Sequence, residues 1–145
     1  MSLSHNGAVH KIFAGIILSF CLVLALIWPK YKKHQMFVQA RTALERGKEI
    51  AFVLDKYKNK YRRFTPDFAQ IELSFDCARN AENTQLTCDN YTYRLDNGPV
   101  LHIRHTTLAQ WFDIDVANGT VSCDYAKDFP AGAQLCEHAY VPIAL

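Results

Sequence analysis

The stretch IFAGIILSFCLVLALIW, Ile12 to Trp28, decides how the rest of this 145-residue chain is read. It contains no charged residue, and at the rise of an α-helix it reaches about 26 Å, the short end of what crosses a bilayer. A cleaved secretory signal would need a small-x-small site after the run, but Leu24 to Lys30 supplies bulky residues. A core helix this uniformly apolar would have to be wrapped on every side, and the polar remainder of the chain is too small for that. A membrane anchor is therefore expected, with residues 1–11 a short polar leader and 12–28 the transmembrane part.

Outward from the anchor, residues 29–63 continue in helical periodicity. Phe37, Ala40, Leu44, Gly47, Ala51 and Leu54 recur at three- and four-residue steps, joined by Ala43, Ile50, Tyr57 and Tyr61. Arg41, Glu45, Lys48, Glu49, Asp55, Lys56 and Lys60 fall to solvated faces, with Arg41 and Glu45 one turn apart as an ion pair. Pro29 is read as kinking rather than stopping the helix, which gives one rod of about 75 Å from Ile12 to Tyr61. Thr65-Pro66-Asp67 breaks it and caps a short turn.

Residues 64–145 then form a small head. A polar loop holds Cys77 and Cys88, after which the pattern alternates: Tyr91, Tyr93 and Leu95 share a face, and Asp96-Asn97-Gly98 signals a hairpin. Val100 to His105 and Trp111 to Val116 follow as strands, and Asn118-Gly119 turns into Thr120 to Cys123. The expected fold class is α+β: a long N-terminal membrane-anchored helix packed on a small antiparallel sheet of four strands. Asp124 to Cys136 is expected as a loop and Glu137 to Leu145 as a tail.

Cys21 lies inside the apolar run and reads as a small apolar residue, whereas Cys77, Cys88, Cys123 and Cys136 form an even set beyond it. Four cysteines allow three pairings; the sequence-local one, Cys77 with Cys88 and Cys123 with Cys136, closes two short loops. Zinc is disfavoured, since no Cys-x-x-Cys pair exists. Disulfides place the head outside the cytoplasm. Lys30, Lys32 and Lys33 after the anchor, against Lys11 before it, point the other way. The cysteines are given the greater weight, so a single-pass protein with an extracytoplasmic C-terminal domain is expected.

A formal net charge of +2, with no basic stripe, excludes a nucleic-acid reader. His102 and His105 stand three apart in a strand, on opposite faces, and read as surface histidines. Asp113 and Asp115 share a face, yet no nucleophile or acid accompanies them, and Asp124 with Asp128 is too little for calcium. No Gly-rich phosphate loop or nucleophile motif is present. Neither catalysis, a cofactor nor a bound metal is expected.

In its layout, the chain resembles type IV pilins and the pseudopilins of type II secretion over nearly its full length. Gly7 stands where the family's short leader ends, with Pro29 well inside the apolar helix and Tyr31 two residues on. Tyr57, Tyr61 and Pro66 resemble the helix exit, and Cys123 with Cys136 the C-terminal disulfide loop. The resemblance implies leader cleavage between Gly7 and Ala8, helix packing in a filament through Leu18, Leu22, Pro29 and Tyr31, and an inner-membrane location before assembly. It implies as partners other pilin or pseudopilin subunits, and adhesion or secretion partners at the head. The chain departs from the family where an apolar start and a Glu at the fifth residue are usual: Ala8-Val9-His10-Lys11-Ile12 stands there. Gly7 also reads as a plain loop glycine.

Overall fold

The computed structural model of the chain describes residues 3–96, 99–124 and 135–136. One helix, α1, occupies Leu3–Tyr61 with Pro29 inside it. It belongs to two compact units, Met1–Met36 and Phe37–Leu145. In the first unit every large apolar side chain from Val9 to Trp28 is exposed. An 18-residue window there reaches a mean hydropathy of 2.5 with none of it buried, so α1 is long and apolar enough to cross a membrane. Because α1 begins at Leu3, Gly7 and Ala8 lie inside the helix, and the reading of Gly7 as a loop glycine does not hold.

In the second unit most of the expected stripe is the buried face of α1, while Phe37 and Tyr57 are half-buried and Tyr61 is 51% exposed. Ala40, Ala43, Leu44, Gly47, Ile50, Ala51 and Leu54 are all buried. Small side chains at 40, 43, 47 and 51 keep this face shallow, and side chains of the sheet reach in against Gly47. A Cβ there would overlap Ile103 Cδ1 and press on Ile114 Cδ1 at 3.2 Å. Asp55 departs from expectation: assigned to a solvated face, it is 3% exposed, because it follows Ala51 by four residues and so shares the core side of the helix. Glu45 also differs, meeting Lys48 at 3.2 Å rather than Arg41. The helix ends as Arg62 turns left-handed at φ 61 with its N–H donating to Lys58 O. Asp67 then caps a single 3-10 turn at Phe68–Gln70, accepting from Ala69 N, as its place after Thr65-Pro66 foretold.

The sheet has six strands, not four: β1 Ala78–Arg79, β2 Gln85–Cys88, β3 Tyr91–Leu95, β4 Val100–His105, β5 Trp111–Asp115 and β6 Val121–Asp124. They run in chain order, each antiparallel to the next. The segment expected as a polar loop supplies β1 and β2. Its strand character is hidden because β1 is only two residues long and the turn after it, Asn80 to Thr84, is polar but for Ala81. That turn is built by the Asn80 carboxamide, whose Oδ1 accepts from Thr84 N at 2.8 Å and Gln85 N at 3.1 Å. Ala78 pairs with Thr87, which brings Cys77 opposite Cys88, and these two are disulfide-bonded with Cα atoms 5.1 Å apart. A closed loop of this length removes about 3 kcal/mol of unfolded-state entropy.

Register places the core on one face. Leu86, Tyr93, Ile103, Phe112 and Cys123 form one row across five strands, and Leu95, Leu101, Ile114 and Val121 form the next. Tyr93 is fully buried at the centre, where its hydroxyl donates to Ala43 O on α1 at 3.0 Å. Burial raises the Tyr93 pKa well above the ordinary value, so the hydroxyl stays a donor. Two further ties flank this contact: Arg46 bridges to Asp89 at 2.8 Å, and the Glu49 carboxylate accepts from both Ser74 N and Ser74 Oγ at 2.7 Å.

Gly47→Val is expected to lower stability by about 2–3 kcal/mol, because a branched side chain must displace the δ-methyl groups of Ile103 and Ile114. Thermal unfolding of the full chain in detergent, followed by circular dichroism, measures this; an unchanged midpoint would show that the sheet yields at this position.

Candidate functional site

The face of the sheet turned away from α1 is polar and ordered by the same register. Gln85, Arg94, His102, Asp113 and Ser122 stand opposite one another across β2 to β6, and Thr87, Thr92, Arg104, Trp111 and Asp124 form a parallel row. His102 is the hub. Its Nε2 lies 3.0 Å from Asp96 Oδ2, and its Nδ1 lies 2.8 Å from Asp113 Oδ1 and 3.1 Å from Arg104 Nη2. Nδ1 cannot donate and accept at once. As an imidazolium, His102 donates to both carboxylates; as the neutral Nε2–H tautomer it donates to Asp96 and accepts from Arg104.

Arg104 binds the rows together. Nη1 donates to Asp113 Oδ1 at 2.7 Å and to the carbonyls of Ile103 and Phe112, and the guanidinium lies over the Trp111 ring at 5.2 Å. Arg94 pairs with Asp96 at 3.1 Å. Between these groups is an open hollow of about 300 Å³ lined by Gln85, Thr92, Arg94, Asp96, His102 and Arg104. Two arginines, His102 and one carboxylate, Asp96, line it with Gln85 and Thr92, so it offers a polar partner both donors and acceptors. As a general base, His102 is poorly placed, since carboxylates occupy both ring nitrogens. Asp113 is thus not simply solvent-facing: it neutralises two neighbours. Asp115 serves the next turn, its Oδ1 accepting from Ala117 N at 2.9 Å.

His105, on the opposite face from His102, closes the loop between β4 and β5. Its ring meets Tyr91 edge-on at 4.9 Å, and its Nδ1 accepts from Thr107 N at 3.1 Å and Leu108 N at 3.0 Å. Beneath it, the Tyr91 hydroxyl donates to the buried Gln110 Oε1 at 2.9 Å, and burial pushes the Tyr91 pKa up to about 12. Two N–H groups aimed at Nδ1 require the neutral ring with its proton on Nε2. Burial works in the same direction, lowering the His105 pKa below its ordinary 6.5.

The residues singled out from sequence are not gathered at this hollow. Leu18, Leu22, Pro29 and Tyr31 belong to the first unit, exposed on α1, as are Gly7 and Ala8. Cys77 pairs with Cys88 at the sheet edge and Cys123, in β6, with Cys136, Cα atoms 6.1 Å apart. Cys21 is a free, exposed cysteine. Asp128 and most of the loop and tail expected from Asp124 to Leu145 lie outside the described residues. Among the described residues, no group of three or more His, Cys, Asp or Glu is set to hold a metal ion. Part of the hub at His102 was readable in the sequence: Arg94 and His102 flank the turn marked by Asp96-Asn97-Gly98, but no turn residues mark the 106–110 loop that sets Asp113 opposite His102. No protein-family model, curated protein or solved structure matches this chain.

The His105 geometry carries a pH dependence. Its folded pKa lies below the unfolded value of 6.5, so its contribution is complete above pH 6.5 and is lost as pH falls through the folded value. Stability of the wild-type chain is therefore expected to drop on acidification below pH 6.5, and His105→Asn, which retains an acceptor but not the titration, should flatten that slope. Denaturant unfolding of both proteins across this range is the measurement; parallel slopes would exclude His105 as the source.

Proposed function

We propose that this chain is a pilin-like structural subunit, a minor component of a type IV pilus or type II secretion pseudopilus, held in the inner membrane with an extracytoplasmic head. The observation that carries the reading is a single helix whose N-terminal part presents apolar side chains all round and whose C-terminal part is buried under an antiparallel meander. The pairing of Cys123, in the last strand, with Cys136 supports it as well. On this reading, Leu18 and Leu22 pack against neighbouring subunits, and the head meets adhesion or secretion partners.

Lys11 inside α1, and Ile12 where the family carries a carboxylate, favour a second reading: a membrane-tethered binding module that does not polymerise. A lysine at that depth of a filament core would be an unpaired buried charge. The polar hollow at His102 would then serve a ligand.

Leu18→Asp and Leu22→Asp are expected to abolish both membrane retention and co-purification with other pilins; unchanged behaviour in both assays would remove the subunit reading. Mass spectrometry of the native N-terminus separates the two readings. A chain starting at Ala8 supports processing and assembly, and an intact Met1 supports the tethered module.

A further inference from the structure

We propose that the turn and a half of α1 from Trp28 to His34 is a collar that selects anionic phospholipid headgroups at the C-terminal end of the membrane span. The inference rests on the reading of Ile12 to Trp28 as that span. No Asp or Glu occurs before Glu45, whereas Lys11, Lys30, Lys32, Lys33 and Arg41 lie in the same stretch. Three of these five cations fall within four residues, directly after the apolar run.

Trp28 and Tyr31 are 55% and 51% exposed, with ring centroids 6.3 Å apart. Lys32 Nζ lies 5.7 Å from the centre of the Trp28 ring, and Gln35 Nε2 donates to the Tyr31 hydroxyl at 2.8 Å. Trp28, Tyr31, Lys32 and Gln35 thus share one face of the helix. An amphipathic ring beside a cation is the arrangement that settles at the boundary between hydrocarbon and headgroups.

Two geometric facts favour lipid over a protein partner. At 100° per residue, Lys32, Lys33 and Lys30 span an arc of about 160° and Trp28 and Tyr31 fill the side they leave open, so headgroup-seeking side chains surround the helix; a protein would meet one side, whereas lipid meets all of them. The rise from Trp28 to Lys33 is about 7.5 Å, close to the depth of one headgroup layer. Phosphate oxygens at that level complement the three ammonium groups, and nothing acidic in this part of the chain competes for them.

The test uses the full chain carrying Trp111→Phe, so that Trp28 is the only tryptophan, reconstituted in phosphatidylcholine vesicles. Energy transfer from Trp28 is read to a trace of dansyl-labelled phosphatidylglycerol or, separately, dansyl-labelled phosphatidylcholine. Transfer to the anionic probe should exceed the neutral one at least about threefold, since each lysine at the surface is worth up to about fivefold. The preference should vanish in Lys30→Gln/Lys32→Gln/Lys33→Gln and survive in the corresponding triple Arg variant. Equal transfer in the parent chain, or a preference that persists in the Gln variant, overturns the collar. Flotation with the vesicles after carbonate extraction tests the span separately: a chain that floats without preference loses only the collar, and one that does not float loses both. Should Trp111→Phe unfold the head, the wild-type chain extracted from mixed phosphatidylglycerol and phosphatidylcholine vesicles in mild detergent gives the same answer by the mass ratio of retained lipids, where enrichment supports the collar and the bulk ratio overturns it.

Discussion

The head of this protein depends on how α1 lies against its sheet, and at Gly47 the δ-methyl groups of Ile103 and Ile114 occupy the space a side chain would need. Hydrogen takes the place of a side chain opposite Ile103 and Ile114, while Ala40, Ala43 and Ala51 keep the same face shallow. With α1 so placed, the Tyr93 hydroxyl reaches Ala43 O from the middle of the sheet. Dispersion falls off steeply over half an ångström, so the gain from a close fit is spread over every aliphatic contact in the two inner rows. Glycine in mid-helix costs about 1 kcal/mol of helix propensity, which the packing has to outweigh.

The two faces of the sheet solve different problems with one register. Inward, aromatic and branched side chains exclude water from Tyr93 and Tyr91, whose hydroxyls are kept as donors by burial and matched to single acceptors. Outward, the central row sets His102 between the guanidinium of Arg94 and the carboxylate of Asp113. Exposed pairs of this kind contribute little to stability individually. Together they fix a pattern of donors and acceptors around a shallow hollow. His105 acts differently: its neutral ring accepts from two backbone N–H groups and so closes the five-residue loop between β4 and β5.

The N-terminal unit is governed by charge placement rather than packing. Among the described residues its large apolar side chains from Val9 to Trp28 are exposed, and a favourable environment for them is hydrocarbon. Positive charge brackets the apolar run unevenly, with one lysine before it and three after it. By itself that asymmetry favours keeping the C-terminal side in the cytoplasm, and the two disulfides of the head favour the other side. A headgroup role for the lysines gives them a function that does not depend on which compartment the head occupies.

Periodicity alone determined the helix, its buried stripe, the strands from Tyr91 to Asp115 and the turn at Gly119, because each rests on local spacing that repeats over several residues. Composition alone also marked the apolar run and the even cysteine set. The tertiary structure decided what local spacing cannot encode. Two-residue β1 has no period to detect, and exists because Cys77, Cys88 and the Asn80 carboxamide hold it against β2. Asp55 is buried because the core covers a wider arc of α1 than its apolar residues mark. The hub at His102 draws on β3, β4 and β5, and only their pairing brings residues eight to eleven positions apart within hydrogen-bonding reach.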